Sequence, residues 1–326
     1  MRVLFILKLG DYGYSGIISS GLFNSAQFIV DMLNANGQTA KLVQVPDNNS
    51  IDKEVTVFKP DVVIIEALWV VPTKFAVLTK LHPTVKWVVR VHSDLPFLSH
   101  EGMAMEWLFE YLKHANVSIA FNDQRIANDF AYLISDPSMP LYLPNYYPIS
   151  PAVFATLMNP VVVIGCFGAI RPLKNQLLQA MAAILYAKKT GRPVEFHINS
   201  TRIEGGEAIL KNMRALFAAT DNVLIEHPWL PRADFLELIS TMSIVMAVSL
   251  SETFCITAAD AVSRGVPLIC SEQVPWADSS SIVDATSVPD IIEKLDDPFD
   301  ISTKKNQKNL RKYSEKAQQI WLRYLG

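Results

Sequence analysis

Short apolar runs rich in β-branched residues alternate along this chain with longer stretches whose apolar positions recur at helical spacing. Residues 3–8, 40–45, 61–66, 86–92 and 117–121 read as strands, and residues 22–34 as a helix that stops near Gly37. That rhythm belongs to a parallel sheet covered by helices. It halts at residues 140–151, where Pro140, Pro144, Pro148 and Pro151 fall close together. Proline at that density continues neither a central strand nor a helix, so the domain linker is placed there. A second round follows, with strands predicted over 160–165, 194–198, 223–226, 244–248 and 267–270 and a helix over 176–188. In the last segment Leu310, Tyr313, Ala317, Ile320, Trp321 and Tyr324 recur at helical spacing.

Two such rounds predict an α/β protein of two Rossmann-like domains facing each other across a cleft, with ligands held outside the carboxyl ends of the strands. The domains are drawn at 1–148 and 149–303, and 304–326 is a basic terminal helix. A length of 326 residues suits two full cores. Half the residues are hydrophobic and 19% are charged, a globular balance rather than a disordered one. A formal charge of −3 gives no overall pull toward nucleic acid or anionic lipid. Cys166, Cys255 and Cys270 lie far apart, which leaves no disulfide framework and no paired zinc spacing and fits a reducing cytoplasm. The apolar start is too short for a signal peptide, and no stretch approaches the roughly 20 residues that span a bilayer.

The loops at the predicted carboxyl ends carry the candidate chemistry. Glu252 and Asp260 stand eight positions apart, the first in a strand-to-helix loop and the second about two turns into the helix that follows. Carboxylates at two heights suit a ligand with hydroxyls at two points and phosphate between them, because a helix N-terminus offers N–H groups to phosphate. The plainer reading makes them solvated helix charges; Asp260 argues against it, set among Ala258, Ala259, Ala261 and Val262. Arg171 and Lys174 are assigned to the loop and first turn of the 176–188 helix, where the dipole disfavours cations unless an anion is shared between them. After the first strand, a glycine-containing loop with Tyr12, Tyr14, Ser15 and Gly16 lets backbone N–H groups approach a phosphate or a sugar, or forms an ordinary turn. His92 and Asp94 alternate with Val91 and Ser93, so a persisting strand would point both into the cleft.

Three motifs in order give the C-terminal half a resemblance. Gly168-Ala-Ile-Arg-Pro-Leu-Lys-Asn175, Glu252 to Asp260, and the run from Ala261 to Pro267 are similar to the donor-site motifs of GT-B glycosyltransferases of the retaining family 4 type. The N-terminal half matches in outline. The resemblance implies that Glu252 holds the donor sugar, Asp260 the ribose, and Arg171 with Lys174 the diphosphate. It adds Gly168, Asn175, Thr253, Phe254, Ser15 and Gly16 to the donor side, and His92 facing the donor sugar. This chain departs from the pattern in carrying Asp for the second Glu, Thr253 and Cys255 for glycines, and Ala169 for an arginine. The terminal helix is expected to cross back onto the first domain.

The implied reaction is transfer with retention through an oxocarbenium-like transition state, from a UDP- or GDP-sugar to a hydroxyl, with no cofactor and no metal. Trp69, Asp94, Tyr12 and Tyr14 are the acceptor-side candidates. Segments such as Glu66-Ala-Leu-Trp69 and Ser251-Glu-Thr-Phe254 are similar to glycosyltransferases of tailed bacteriophages, which makes a hydroxymethylated pyrimidine in DNA a candidate acceptor. The terminal segment adds seven Lys or Arg against the single acid Glu315, a basic face for phosphates or for peripheral membrane contact, or simply the wet side of a docked helix. A glycan or lipid-linked acceptor, a sugar-nucleotide epimerase and an inactive nucleotide-sugar-binding module remain alternatives. A nicotinamide oxidoreductase is disfavoured, because the three-glycine fingerprint is missing.

Overall fold

The computed structural model describes residues 1–10, 21–136, 138–148, 161–298 and 300–326. Tyr12, Tyr14, Ser15 and Gly16 lie outside the described residues. The chain divides into two compact units, one of Met1–Pro148 with Tyr313–Gly326 and one of Ile149–Lys312.

The first unit runs β1 (Arg2–Lys8), α1 (Gly21–Ala35), β2 (Thr39–Val45), α2 (Ile51–Phe58), β3 (Val62–Glu66), α3 (Pro72–Leu81), β4 (Lys86–Val91), α4 (Leu95–Leu98), α5 (Ala104–Tyr111), β5 (Val117–Phe121), α6 (Gln124–Ile134) and β6 (Leu141–Tyr142). Among the described residues these strands form one parallel sheet in the order β2-β1-β3-β4-β5-β6. The two-residue period of a strand divides the side chains between two cores. Leu4, Ile6, Val63, Ile65 and Val89 pack on one face with Phe75, Tyr111 and Phe130 of α3, α5 and α6. Val3, Phe5, Val62, Ile64 and Val88 pack on the other with Ala26, Ile29 and Leu33 of α1. The proline-rich stretch does contribute a strand, the two-residue β6. It pairs with β5 at the sheet's edge, where prolines on either side are tolerated.

The second unit continues with β7 (Val162–Gly165), α7 (Gln176–Thr190), β8 (Val194–Asn199), α8 (Glu207–Ala218), β9 (Val223–His227), α9 (Arg232–Ser240), β10 (Ile244–Ala247), α10 (Ile256–Ser263), β11 (Leu268–Ser271), β12 (Ile282–Val283) and α11 (Val288–Asp296). Its parallel sheet is ordered β12-β11-β10-β7-β8-β9 among the described residues, with β7 central. Ile164, Phe196, Ile198, Met246 and Ile269 fill its core with Ala180, Ala183 and Ile184 of α7.

The last helix, α12 (Thr303–Leu325), begins in the second unit and ends in the first. Asn306 donates to Ser281 Oγ at 2.6 Å in the second unit. In the first, Trp321 is fully buried against Phe5, with ring centroids 5.7 Å apart, and its indole N–H donates to the Pro144 carbonyl at 2.8 Å. Lys304, Lys305, Lys308, Arg311, Lys312, Lys316 and Arg323 all stay exposed. No described helix is long and apolar enough to cross a membrane.

Removing the indole should leave a large void beneath β1. We expect Trp321→Ala to destabilise the first unit by about 3–5 kcal/mol, the usual range for a buried aromatic. Guanidinium unfolding of the full chain checks this, and a loss under about 1 kcal/mol would show that α12 is not part of that core.

Candidate functional site

The mouth of the second sheet gathers the charged residues of the sequence motifs. Beyond β7 the chain passes Gly168, whose φ of +122° few side chains tolerate and whose N–H donates to Asn199 Oδ1 at 3.0 Å. Ile170 then bridges to Ile203, and the Glu204 N–H donates to the Ile170 carbonyl at 2.9 Å. This brings Glu204 beside Arg171. Arg171 and Lys174 bracket a single 3-10 turn, Pro172–Lys174, that precedes α7, so neither lies in the α-helix where the sequence placed Lys174.

Each cation meets a carboxylate. Lys174 Nζ is bonded to Glu252 Oε1, an oxygen that also accepts from Ser249 Oγ at 3.2 Å. Burial alone would raise the Glu252 pKa; the charge and hydrogen bond of Lys174, with help from Arg171 and Ser249, bring it below the ordinary value. Glu252 is therefore a carboxylate held ready by cations. Arg171 Nη1 lies 3.3 Å from Glu204 Oε2, while Arg202 occupies the other oxygen at 2.6 Å. Asn175 takes a left-handed φ of +56° and gives its amide to the carbonyls of Val248 and Ala285, at 3.2 and 2.7 Å. Its side chain thus ties the loop to the end of β10.

Asp260 sits a little over one turn into α10, nearer the N-terminus than the two turns expected, and is 1% exposed. Its charge is met by Arg232, the first residue of α9, at 2.7 and 3.2 Å in a two-pronged pair. Sequence reading missed Arg232, and the one signal was negative: a carboxylate on a helix of alanines needs a cation from elsewhere. Nearby, the guanidinium of Arg202 lies 5.0 Å over the ring of Trp229. Thr253 and Phe254 are both buried, and the Phe254 carbonyl accepts from the Trp276 indole at 2.8 Å. Cys255 takes a glycine-like conformation with φ +60°, at a cost of about 1 kcal/mol or more. All three cysteines are buried, and burial pushes the thiols of Cys166 and Cys255 up to about 12.

The first unit holds a separate cluster. β4 ends at Val91, so His92 and Asp94 do not share a strand face; Asp94 instead caps α4, accepting from the Leu95 N–H at 2.7 Å. His92 Nε2 is bonded to Glu66 Oε2, and Glu66 also accepts from Arg90 Nη1 at 3.1 and 3.2 Å. Trp69 donates its indole N–H to the Glu66 carbonyl at 3.0 Å and packs on the core. Glu66 and Arg90 went unread as a pair, although they occupy the same level of adjacent strands. No group of three or more His, Cys, Asp or Glu side chains suited to a metal occurs among the described residues.

No protein family and no curated protein matches the sequence. Solved structures match the fold. A Staphylococcus aureus TarM variant in complex with fondaparinux, alpha-GlcNAc-glycerol and UDP aligns at TM-score 0.61 and 15% identity over 80% of this chain, which spans only 54% of the TarM chain. Anabaena HepE in complex with UDP aligns at TM-score 0.64 and 13% identity over 100% of this chain and 99% of its own. A UDP-forming trehalose-phosphate synthase from Burkholderia xenovorans aligns at TM-score 0.63 and 11% identity over 84% of this chain and 74% of its own. At such identities the likeness shows the fold, an α/β architecture of two parallel six-stranded sheets with the GT-B chain plan.

The Lys174–Glu252 pair makes a pH-dependent contribution whose sign is fixed. A depressed carboxylate pKa stabilises the fold above the unfolded value, and the contribution is lost as pH falls through the folded one. In Lys174→Met burial acts on Glu252 with far less opposition, so its pKa rises. We expect the variant to be about 3 kcal/mol less stable near pH 7 and the gap to be smaller at about pH 5, because Glu252 takes up a proton more readily in the variant than in the wild type. Urea unfolding at both pH values checks this; a gap that stays constant would remove Glu252 from the account.

Proposed function

We propose that the chain is a glycosyltransferase that moves a sugar from UDP-sugar to a hydroxyl acceptor, with retention and without a metal. The observation that carries the reading is Glu252 with Lys174 and Arg171 acting on it together at the mouth of a parallel α/β sheet. A diphosphate carries more charge than either carboxylate it would displace. Its arrival draws Lys174 from Glu252 and Arg171 from Glu204, which leaves Glu252 to accept hydrogen bonds from the sugar hydroxyls. Gly168 supplies close backbone approach, and the Asp260–Arg232 pair faces the ribose end. Asn175, Thr253 and Phe254 are assigned to the donor side, as are Ser15 and Gly16, which lie outside the described residues. His92 is the first unit's contribution to the sugar, with Asp94, Trp69, Tyr12 and Tyr14 assigned to the acceptor.

In the reaction the bond from the anomeric carbon to the diphosphate oxygen breaks, and its electron pair leaves with UDP. Lys174 and Arg171 stabilise the charge that develops there, the part a metal plays elsewhere. The acceptor oxygen bonds to the same face of the carbon, and its proton passes to the departing phosphate oxygen. UDP is preferred over GDP because the HepE and TarM structures hold UDP and the Burkholderia enzyme is UDP-forming. The exposed basic face of α12 favours a polyanionic acceptor, and hydroxymethylpyrimidine DNA is the acceptor we assign first.

A UDP-release assay over a panel of nucleotide sugars, with and without that DNA, tests the reading. We expect turnover to survive excess EDTA, and Lys174→Ala and Glu252→Ala each to lower kcat/KM by about 100-fold or more. Loss of all turnover in EDTA would overturn the metal-free mechanism. Interconversion of the sugar without UDP release would identify an epimerase, and release indifferent to DNA would send the search to glycan or lipid-linked acceptors.

A further inference from the structure

The first unit holds a cavity that the reaction described above does not use. It lies between α4, α5, α6 and the end of β5 and has a volume of about 70 Å³. Phe121 and Phe130 form its buried wall, with ring centroids 5.4 Å apart. Leu95, Met105 and Leu133 line it as well, and all three of these large apolar side chains are exposed, Leu133 by 57%. The cavity therefore opens to solvent through an apolar rim. Exposed apolar side chains gathered around a recess mark a binding surface more than an ordinary one. Met105 suits the rim, because an unbranched thioether side chain adapts to what enters.

The charge at the opening is negative. Among the described residues Asp129 is the one charged side chain that lines the cavity, and it makes no hydrogen bond or ion pair there. Asp94, at the start of α4, is near enough to feel it. Burial raises the Asp94 pKa against the Leu95 N–H and Arg125, and the charges of Asp123 and Asp129 add to the rise. Arg125, the cation of this group, is engaged with Asp123, its Nη2 lying 2.8 Å from Oδ2. Size narrows the occupant further. The volume of about 70 Å³ is less than half of the ~150 Å³ that takes up benzene, so an aromatic ring is too large and the last few carbons of an alkyl chain fit. A sugar or a phosphate is refused by the same apolar wall, which would desolvate its polar groups without offering them partners.

We propose that this cavity is a second ligand site, for a short primary alkylammonium compound. Its alkyl end packs against Phe121 and Phe130, and its ammonium group stays at the rim beside Asp129. The carboxylate selects a cation over a neutral or anionic head group of the same shape, and the cavity selects the chain. This site stands apart from glycosyl transfer and does not depend on it.

Probes that share a butyl chain and differ only in head group test this: butylamine, which is charged at neutral pH, butanol and pentanoate. Each is titrated into the full chain carrying 13C-methyl methionine, and the Met105 signal is assigned by its loss in Met105→Leu. We expect butylammonium to move that signal saturably with a Kd of about 1–10 mM, the affinity that a handful of carbons supports. Butanol should bind about two- to fivefold more weakly, the worth of a partly exposed ion pair, and pentanoate at least about tenfold more weakly. Asp129→Asn should erase the difference between amine and alcohol, and so should about 1 M NaCl in the wild type. Equal affinity for all the probes overturns the proposal, as does an amine preference that survives both Asp129→Asn and salt, or a Met105 signal that none of the probes moves. The wild-type ranking and its salt dependence decide the matter even if Asp129→Asn fails to fold. UDP release enters none of these readings, so their failure and the failure of the glycosyl-transfer reading are distinct results.

Discussion

A guanidinium with no solvent exposure carries an effective desolvation penalty of several kcal/mol, and the structure around it must be arranged to offset that. Arg90 meets the requirement with the Glu66 carboxylate from the neighbouring strand, a carbonyl and an amide oxygen from the segment after β6, and the indole face of Trp321. These partners come from β3, from residues 143–145 and from α12, so one charge holds three separate pieces of the first unit in register. If the Glu66 carboxylate were displaced, the remaining charge would sit unpaired in a medium of low dielectric. The sheet's register depends on it too, because Glu66 and Arg90 meet only when β3 and β4 pair as they do.

The second unit solves a related problem by a different route. Its sheet mouth collects Arg171, Lys174, Arg202 and Arg232, and each is matched to a carboxylate. The pairs around Glu204 are partly exposed and therefore weakly held, while Asp260 and Arg232 form a tighter and more buried couple. A graded set of this kind gives an anionic ligand cations that are already positioned, with some more readily released than others. Asp260 is met by Arg232, which reaches across from the start of α9.

Much of the architecture was legible in the chain because buried parallel strands are near-continuous apolar runs. Residues 117–121 and the start of α7 at Gln176 could be read directly. Two-residue strands could not, since β6 and β12 are too short to impose a period and exist only because a neighbouring strand is present. At the site, the acidic and basic residues stood out as motifs, whereas their partners did not. Arg232, Glu204 and Glu66 are ordinary charges in sequence and acquire meaning only from what tertiary packing brings beside them. Cys255 shows the reverse case: the residue type argued against a left-handed turn, and the surrounding fold imposes one all the same.

The route of α12 also bears on how the protein comes into being. The first unit's core includes Trp321 and Leu325, so the domain whose strands leave the ribosome earliest lacks part of its interior until the second domain has been made. During that interval the face bearing Val3, Phe5, Val62 and Ile64 is only partly covered, and the Arg90 charge lacks its aromatic partner. Synthesis order and folding order are therefore uncoupled, and the nascent N-terminal domain has reason to engage a chaperone until α12 arrives.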